Sequence, residues 1–465
     1  MKLYNTKTKL VEEFIPNNDK EVKLYTCGPT VYHYAHIGNL RSYIMEDVLE
    51  KTLNYLGYNV TRCMNITDVG HLSSDSDTGE DKMLKGAKRE NKTVLEIAKM
   101  YTDAFFEDCK KLNIKKPEIV APATEHIPDY IKVIEKLLEK GYAYQSNGNI
   151  YFDITKLDDY YSLTNHKEDE MVVGAREDVE EDLDKKNPGD FVLWFTKSKF
   201  DDQELKWNSP WGIGYPGWHI ECSCISMKYL GEFLDIHCGG VDNIFPHHTN
   251  EIAQSEGYLG HKWCNYWFHV EHLNDSTGKM SKSKGEFLTV SLLLEKGYNP
   301  LAYRMFCLES HYRKQLVFTY EGLDNTANAY DKLKNRVKKL KENAVGEVDF
   351  EVVKIYKQKF VDALSNDLNT ALALTTLFEV LKLDTNNKTK LCLIEDFDKV
   401  LSLDLLKEDE IDSNLLEYIN QMIKKRNEAK QNKDYEIADA IRNELLEKGI
   451  IIKDTREGTT FELRG

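Results

Sequence analysis

The chain contains 465 residues, of which 41% are hydrophobic and 30% charged, and its net charge of −16 argues against indiscriminate nucleic-acid binding because the long-range field repels phosphate. A chain of this length is expected to form roughly two to four domains, and no apolar run approaches the roughly 18 residues that a membrane span requires. The stretch MKLYNTKTKLVEEF lacks the apolar core of a signal peptide and nine scattered cysteines are typical of a reducing compartment, so we expect a soluble, cytoplasmic protein.

The first elements predict a βαβ unit. EVKLYTCGP (21–29) predicts a short strand, LRSYIMEDVLEKTLNYLGY a helix that ends at Gly57, and NVTRCMNIT a second strand. A strand, a glycine-containing turn, a helix and a strand in this order predict a parallel sheet with a ligand crevice at the carboxyl ends of its strands. We therefore expect a nucleotide site at that edge.

The next elements predict an insertion between two halves of this sheet. After an acidic stretch at 73–81, helices are predicted near 93–112 and 128–140, followed by a hairpin that turns at Asn147 and Gly148. The stretch FLDIHCGG (233–240) predicts a return to the parallel sheet. Beyond about residue 320 the periodicity is helical, which predicts a C-terminal α-helical bundle. Two of its predicted apolar faces are formed by Leu415, Leu416, Tyr418, Ile419, Met422 and Ile423, and by Ala438, Ile441 and Leu445 before Gly449.

A metal site is the first chemical hypothesis. His247 and Glu251, in FPHHTNEIAQSEG, stand four residues apart and project from one face if a helix begins after Pro246. An exposed pair on a surface helix would show the same spacing. Cys27 and Cys222 could complete a zinc set of two thiolates, an imidazole and a carboxylate. The rival thiols Cys224 and Cys238 are not excluded by spacing.

A phosphate site is the second hypothesis. PTVYHYAHIGNLRS (29–42) places His33, His36 and Gly38 directly before a predicted helix, where free backbone N–H groups and the helix dipole favour phosphate. Far along the chain, KMSKS (279–283) offers two lysines that could neutralise charge on a triphosphate. Local packing of the histidines and a solvated basic turn are the simpler alternatives.

Together these motifs resemble the class I aminoacyl-tRNA synthetases. Their signatures are matched by CGPTVY, by His-Ile-Gly-Asn at a βα turn and by the distant KMSKS. GWHIECS, GGVD (239–242) and FPHHTNEIAQSE narrow the resemblance to the cysteinyl-tRNA synthetases, and the likeness continues to KDYEIADAIRNELLEKGI and DTREGTTFEL near the C-terminus. The resemblance therefore covers essentially the whole chain.

The resemblance implies an α/β protein with a Rossmann-type parallel-sheet catalytic domain, an inserted connective domain and a C-terminal α-helical bundle. The substrates it implies are L-cysteine, ATP with magnesium, and tRNA(Cys), and the metal is one zinc ion per chain in a monomer. The implied zinc ligands are Cys27, Cys222, His247 and Glu251. The implied catalytic and nucleotide-contacting residues are His36, Gly38, Asn39, Lys279, Lys282 and Asp242, with Trp218 lining the amino-acid pocket.

The resemblance also implies an order of domains. The implied segments are the first half of the catalytic domain at 1–110, the connective insertion at 111–200, the second half with the zinc site at 201–275, the KMSKS loop and stem-contact region at 276–325, and the helical anticodon-binding domain at 326–465. Basic residues within 424–433 are expected to contact the anticodon. The KMSKS loop is expected to act as a lid over the phosphates, with Gly278 and Gly285 as its hinges.

Two positions depart from the family pattern. The fourth position of the first signature is usually histidine, and Asn39 stands there, so we expect an amide to donate a hydrogen bond in its place. The stretch NITDVGHL replaces the more usual NITDVDDK, which leaves Gly70, His71 and the acidic stretch after them without an assigned role.

Two other functions remain open at this stage. One is a cysteine ligase that shares the adenylation core but transfers the cysteinyl group to a small amine, although such enzymes are shorter at the C-terminus. The other is a zinc-dependent RNA-binding module without catalysis, against which an intact KMSKS and zinc set argue. A zinc peptidase is disfavoured because the chain lacks His-Glu-x-x-His.

Overall fold

The computed structural model describes residues 1–69, 82–164, 184–197, 204–275, 278–279, 287–408, 413–455 and 458–463. Gly70, His71 and the acidic stretch at 73–81 lie outside these residues. Among the helices in the described ranges, none has both the length and the apolar character needed to cross a bilayer.

Strands and helices alternate in the first two thirds of the chain, and helices dominate the last third. The strands are β1 (Lys2–Asn5), β2 (Leu10–Glu13), β3 (Glu21–Thr26), β4 (Asn59–Ile66), β5 (Ile119–Pro122), β6 (Ala143–Ser146), β7 (Asn149–Phe152), β8 (Phe191–Phe195), β9 (Trp207–Ser209), β10 (Gly212–Pro216), β11 (Leu234–Gly240), β12 (Cys264–Val270), β13 (Leu273–Asp275), β14 (Gly278–Lys279), β15 (Leu316–Val317), β16 (Ile450–Thr455) and β17 (Gly458–Leu463). The helices are α1 (Ile37–Tyr55), α2 (Lys82–Glu90), α3 (Val94–Lys111), α4 (Ile127–Glu139), α5 (Trp218–Leu230), α6 (Thr249–Leu259), α7 (Val290–Glu295), α8 (Pro300–Leu308), α9 (Tyr320–Glu342), α10 (Phe350–Ser365), α11 (Thr370–Lys382), α12 (Asn387–Leu401), α13 (Ser413–Gln431) and α14 (Tyr435–Glu447).

The central sheet consists of five parallel strands in the order β12-β11-β3-β4-β5. This is the doubly wound arrangement, in which the strand order reverses between β3 and β11. The inner strands are buried along most of their length because helices cover the sheet. The predicted Rossmann-type α/β fold is confirmed, and its ligand crevice belongs at the carboxyl ends of β3 and β11.

An antiparallel sheet with the order β6-β7-β8-β10-β9 interrupts the parallel sheet in sequence, between β5 and β11. The predicted hairpin is present: Asn147 and Gly148 join β6 and β7 with φ angles of 48° and 96°. Two successive positive φ angles are what a two-residue hairpin turn requires, so asparagine and glycine specify it locally. The pairing of β7 with β8 and of β8 with β10 was not predicted, because it joins segments that are distant in sequence.

The last third forms the expected helical bundle with one unpredicted addition. Helices α9 to α12 enclose an apolar core in which Phe360 stacks on Phe397 with ring centroids 4.1 Å apart. Helices α13 and α14 pack against the hairpin β16–β17, which the helical periodicity did not reveal. The predicted apolar face of α13 is narrower than expected, since Ile419 and Met422 are buried while Leu415 and Leu416 are exposed.

Candidate metal centre and nucleotide cleft

A cavity of about 1020 Å³ opens at the carboxyl edge of the parallel sheet, where the strand order reverses. The ends of β3 and β11, the start of α1 and the start of α5 form its walls. Most of the site residues expected from the sequence line it, namely Cys27, His36, Gly38, Asn39, Trp218, Cys222, Asp242 and His247. Glu251 is buried beside Cys27 and His247.

Four potential metal ligands converge at this cavity. Cys27 follows β3, and Cys222 lies in the second turn of α5. His247 lies in the short helical turn 244–248 just before α6, and Glu251 lies in the first turn of α6. Their donor atoms lie within 4.8 Å of one another, and all four residues are buried. Cys27 Sγ is 3.9 Å from Cys222 Sγ and 3.8 Å from Glu251 Oε1, while His247 Nε2 is 3.1 Å from the same oxygen.

The separations match a tetrahedral zinc site. With zinc–sulfur bonds of about 2.3 Å and zinc–oxygen bonds of about 2.1 Å, tetrahedral geometry places two sulfurs about 3.8 Å apart and a sulfur and an oxygen about 3.6 Å apart. The corresponding distances are 3.9 Å and 3.8 Å. Two thiolates, an imidazole and a carboxylate are also the ligand types that zinc prefers. The donor set therefore fits a zinc ion.

A second group of potential ligands shares Cys27 and Glu251 and adds His237 and His248. His237 Nε2 is 2.8 Å from Glu251 Oε2, so the second carboxylate oxygen is already engaged, and Cys27 Sγ is 3.2 Å from His248 Nε2. Outer hydrogen bonds of this kind orient the ligands of a metal. The first group offers two sulfurs and the second only one. Neither Cys224 nor Cys238 belongs to either group within the described part of the chain.

The charges of the four side chains are strongly coupled. Burial raises the pKa of the Cys27 thiol, and the neighbouring Cys222 raises it further. Burial also opposes ionisation of Cys222, but the hydrogen bond from Cys27 and the adjacent His247 outweigh it and lower the pKa of Cys222 to about 6. In the same way His237 and His247 outweigh burial and lower the pKa of Glu251 to about 2, while Glu251 raises the pKa of His247 to about 10. The cluster thus stabilises a thiolate and a carboxylate, and a metal cation would replace the proton on His247.

Next to the four potential metal ligands, one part of the cavity wall is an aromatic ring and another part is a network of hydrogen-bonded polar side chains. Trp218 stacks on His247 with ring centroids 4.1 Å apart. Thr67 donates a hydrogen bond to the buried Glu221 at 2.8 Å and accepts one from Asn65 at 3.1 Å. The other side-chain atom of Asn65, Oδ1, accepts from the Gly28 N–H at 2.7 Å, and a Cβ at Gly28 would lie 1.6 Å from the Asn65 carbonyl oxygen. Glycine is therefore required beside Cys27.

The start of α1 forms another wall. His36 is the N-cap residue, and its Nδ1 accepts a hydrogen bond from the Asn39 N–H at 3.2 Å. A Cβ at Gly38 would lie 2.9 Å from the His36 ring, so glycine allows the imidazole to fold back over the helix end. Asn39 is exposed in the first turn, at the position where the family pattern has histidine.

Asp242 lies in the turn that follows β11, and its Oδ1 is 3.3 Å from His272 Nε2. Lys279 ends the two-residue strand β14, which pairs antiparallel with β13 through Asn274. The described residues include neither the side chain of Lys279 nor any atom of Lys282 or Gly285. The phosphate contacts expected of the two lysines and the hinge expected at Gly285 therefore remain predictions.

Two buried residues behind the wall of the cleft, His237 and Arg41, were not predicted from the sequence. His237 holds Glu251, and Arg41 lies in α1 five residues after His36 with its guanidinium fully buried. The available signal for His237 was a histidine in the otherwise apolar part of a strand. Arg41 gave a weaker signal, since an arginine in a helix is normally assigned to a solvated face.

Comparisons with known proteins agree on the family and the type of fold. The family described as tRNA synthetases class I (C) catalytic domain matches residues 13–328, and the DALR domain family matches residues 359–401. The chain is 46% identical to the cysteine–tRNA ligase of Treponema denticola, with 99% of each chain covered. It is 45% identical to the cysteine–tRNA ligase of Borrelia garinii, with 99% of this chain and 98% of that protein covered.

Solved structures show the same fold at low sequence identity. Methionyl-tRNA synthetase from Mycobacterium tuberculosis, in complex with methionyl-adenylate, is similar with a TM-score of 0.54 and 13% identity over 82% of this chain and 90% of that chain. The LeuRS–tRNA–LeuAMS ternary complex from Agrobacterium radiobacter is similar with a TM-score of 0.56 and 12% identity over 84% of both chains. At these identities the likeness concerns the fold alone.

Proposed function

Because this chain belongs to the cysteine–tRNA ligase family of class I tRNA synthetases, we propose that its cleft activates L-cysteine with ATP and transfers the cysteinyl group to the 3′ end of tRNA(Cys). The observation that carries this proposal is the convergence of the four buried donors on the cavity that also contains the start of α1. This convergence supports a thiol-binding site and a phosphate-binding site in one cleft.

Cys27, Cys222, His247 and Glu251 are the proposed ligands of one zinc ion per chain. A zinc ion bound there would distinguish cysteine from serine by its preference for a thiolate over a hydroxyl group. A discrimination of roughly 10⁴ requires about 5.5 kcal/mol, which pocket shape cannot supply for two side chains of nearly equal size. His237 would orient Glu251 through the 2.8 Å hydrogen bond, and Trp218 would cover the site by stacking on His247.

In the first step the cysteine carboxylate would attack the α-phosphate of ATP, which enters with magnesium, and pyrophosphate would leave. His36, the N-terminus of α1, Lys279 and Lys282 are the proposed groups that stabilise the charge developing on the phosphates. Gly38 lets the His36 ring lie against the helix end, Asn39 would donate a hydrogen bond in place of histidine, and Asp242 would bind the adenosine moiety.

In the second step the helical region would orient the tRNA. Within 424–433, Arg426 and Lys430 are bound to Asp454 of the C-terminal hairpin, so the exposed Lys424, Lys425 and Lys433 are the better candidates for phosphate contacts. We extend the proposal to the expected segments at 1–110, 111–200, 201–275, 276–325 and 326–465, with the last as the anticodon-binding domain. It also includes a monomeric state, which sedimentation would test, and a cytoplasmic location.

The decisive experiment is charging of total tRNA with labelled cysteine by zinc-replete protein. Serine in place of cysteine, and protein stripped of zinc, are the controls. Zinc-dependent charging with cysteine alone is the expected result. If cysteine drives exchange of pyrophosphate into ATP while tRNA remains uncharged, the acceptor is wrong and a small amine becomes the leading acceptor.

A further inference from the structure

Arg41 is a fully buried arginine whose hydrogen bonds go to backbone carbonyls from two distant segments. Its Nη1 donates to the carbonyls of Glu271 and His272 at 2.7 and 2.6 Å, and its Nη2 donates to those of His311 and Lys314 at 3.3 and 2.7 Å. No carboxylate forms an ion pair with it within the described residues, and its Nε has no hydrogen-bond partner there. Burial lowers the pKa of the guanidinium. A buried charge held only by carbonyls is costly, which suggests a specific role.

The two carbonyl pairs precede two strands of the small sheet that contains Lys279. Glu271 and His272 lead directly into β13, whose antiparallel partner β14 ends at Lys279. His311 and Lys314 precede β15, which pairs in parallel with β13. The guanidinium of Arg41 therefore links α1 to the residues just before β13, the middle strand of this sheet, and to those just before its edge strand β15.

Two further contacts extend this connection to the other nucleotide-side residues. The imidazole of His272 is 3.3 Å from Asp242, so the backbone that Arg41 holds also places the partner of Asp242. At the other end of the KMSKS segment, the Ile37 N–H donates to the Leu288 carbonyl at 2.9 Å. The chain is thus attached to α1 both before and after the lysine-bearing segment.

The metal set is separate from these contacts. Cys27, Cys222, His247 and Glu251 lie after β3, in α5 and at the start of α6, and none of the four carbonyls bound by Arg41 belongs to those elements. A substitution of Arg41 should therefore disturb the binding of ATP more than the binding of cysteine or zinc.

We propose that Arg41 is a positioning residue for ATP, because it fixes the β13–β14 pair and His272 relative to His36 at the start of α1. This inference rests on the proposed function. It also requires an arginine specifically, since the planar guanidinium directs two nitrogens toward two pairs of carbonyls, whereas a lysine ammonium is a single point with freely rotating donors. Arg41 itself is not assigned any contact with substrate.

The test compares Arg41→Lys and Arg41→Gln with the unaltered protein in cysteine-dependent pyrophosphate exchange. The control is Arg304→Lys, because Arg304 is equally buried and donates to the carbonyls of Leu112 and Leu401 and to the carboxylate of Asp47, none of which lines the cleft. KM for ATP, KM for cysteine, kcat, zinc content and Tm are measured for each protein at a temperature well below every Tm.

For Arg41→Lys we expect KM for ATP to rise at least about 5-fold and kcat to fall, while KM for cysteine and zinc content stay within about 2-fold. A larger rise in KM for ATP is expected for Arg41→Gln, whereas Arg304→Lys should lower Tm without separating the two KM values. If Arg41→Lys leaves KM for ATP unchanged, or raises both KM values equally, the inference is overturned. Absence of exchange in the unaltered protein would instead refute the proposed function, so the two failures are distinguishable.

Discussion

The cleft region and the C-terminal helical region bury different kinds of side chain. Around the cleft the buried side chains include a cluster of titratable groups: His219, Glu221, Cys222, His237, His247, His248, Glu251 and His269. From α9 onward the buried polar groups described are mainly hydroxyls, with Asp367 and Arg426 as charged members. Buried charges are costly unless they are paired, and their concentration in one cleft is typical of a site where chemistry occurs.

The difference indicates that different interactions stabilise the two regions. The helical region is stabilised by shape and apolar area, and its helix ends are capped by side chains such as Asp349, Asn369 and Asn386. The cleft region depends on keeping every charged partner in place. Changes in the two regions should therefore produce different losses.

The largest effect is expected at the metal set. Cys222→Ala removes one of two thiolates, so zinc content should fall and cysteine-dependent pyrophosphate exchange should drop by roughly 10⁴-fold, about 5.5 kcal/mol. Cys224→Ala is the matched control, since Cys224 lies two residues away in the same helix, is equally buried and is not part of the donor set. Retention of zinc in Cys222→Ala, or its loss in Cys224→Ala, would contradict the assignment.

The second largest effect is expected in the helical region, where it tests how far stability depends on apolar packing. Phe397→Ala removes a side chain that is fully buried against Phe360, and it should lower the free energy of unfolding of the helical region by about 4 kcal/mol. Urea unfolding measures the loss, and pyrophosphate exchange should continue while tRNA charging falls. Leu372→Ala, at a position that is 47% exposed, should change the stability by less than about 0.5 kcal/mol. Equal losses in the two variants would refute the predicted dependence on burial.

The third effect is a dependence of stability on pH, which tests the role of buried charges beside the cleft. Glu46 and Glu50 share Arg62, and Glu46 is the more distant of the two, at 3.5 Å against 3.2 Å. Burial raises the pKa of Glu46 to about 8 although Arg62 lowers it. A carboxyl group with a raised folded-state pKa contributes stability that is complete below about pH 4.5 and is lost as the pH rises toward 8.

We therefore expect ionisation of Glu46 to contribute a fall of about 3 kcal/mol in the free energy of unfolding between pH 5 and pH 8, and Glu46→Gln to remove that contribution. Urea unfolding at several pH values measures how the free energy of unfolding depends on pH in each protein. The same pH dependence in the unaltered protein and in Glu46→Gln would show that Glu46 is already ionised in the folded state.

The smallest effect is expected on the helical surface. Lys359 and Glu379 form an ion pair at 3.3 Å with side chains that are 50% and 47% exposed. Lys359→Ala should change the free energy of unfolding by less than about 0.5 kcal/mol, because exposed pairs are screened by solvent. A thermal-unfolding shift comparable with that of Phe397→Ala would contradict the view that apolar packing dominates this region.

Features specified by neighbouring residues were predictable from the sequence. The hairpin at Asn147 and Gly148, the end of α1 at Gly57 and the helical face formed by Ala438, Ile441 and Leu445 all follow from local conformational preference or periodicity, and the structure contains them. The pairing of β7, β8 and β10 was missed, because strand partners that are distant in sequence leave no periodic signal. The β16–β17 hairpin was missed although its two strands are adjacent in sequence.

The candidate site divides in the same way. His247 and Glu251 could be paired from the sequence, since a spacing of four places them on one helical face, and family resemblance selected Cys222 among the cysteines. Folding brings the Cys27 and Cys222 sulfurs to 3.9 Å from each other, places His237 within hydrogen-bond distance of Glu251, and buries the Arg41 guanidinium among four carbonyls. None of these contacts could be predicted from the sequence. The physical reason is that burial, ligand geometry and pKa depend on groups brought together by folding, whereas helical periodicity and turn preference depend on residues a few positions apart.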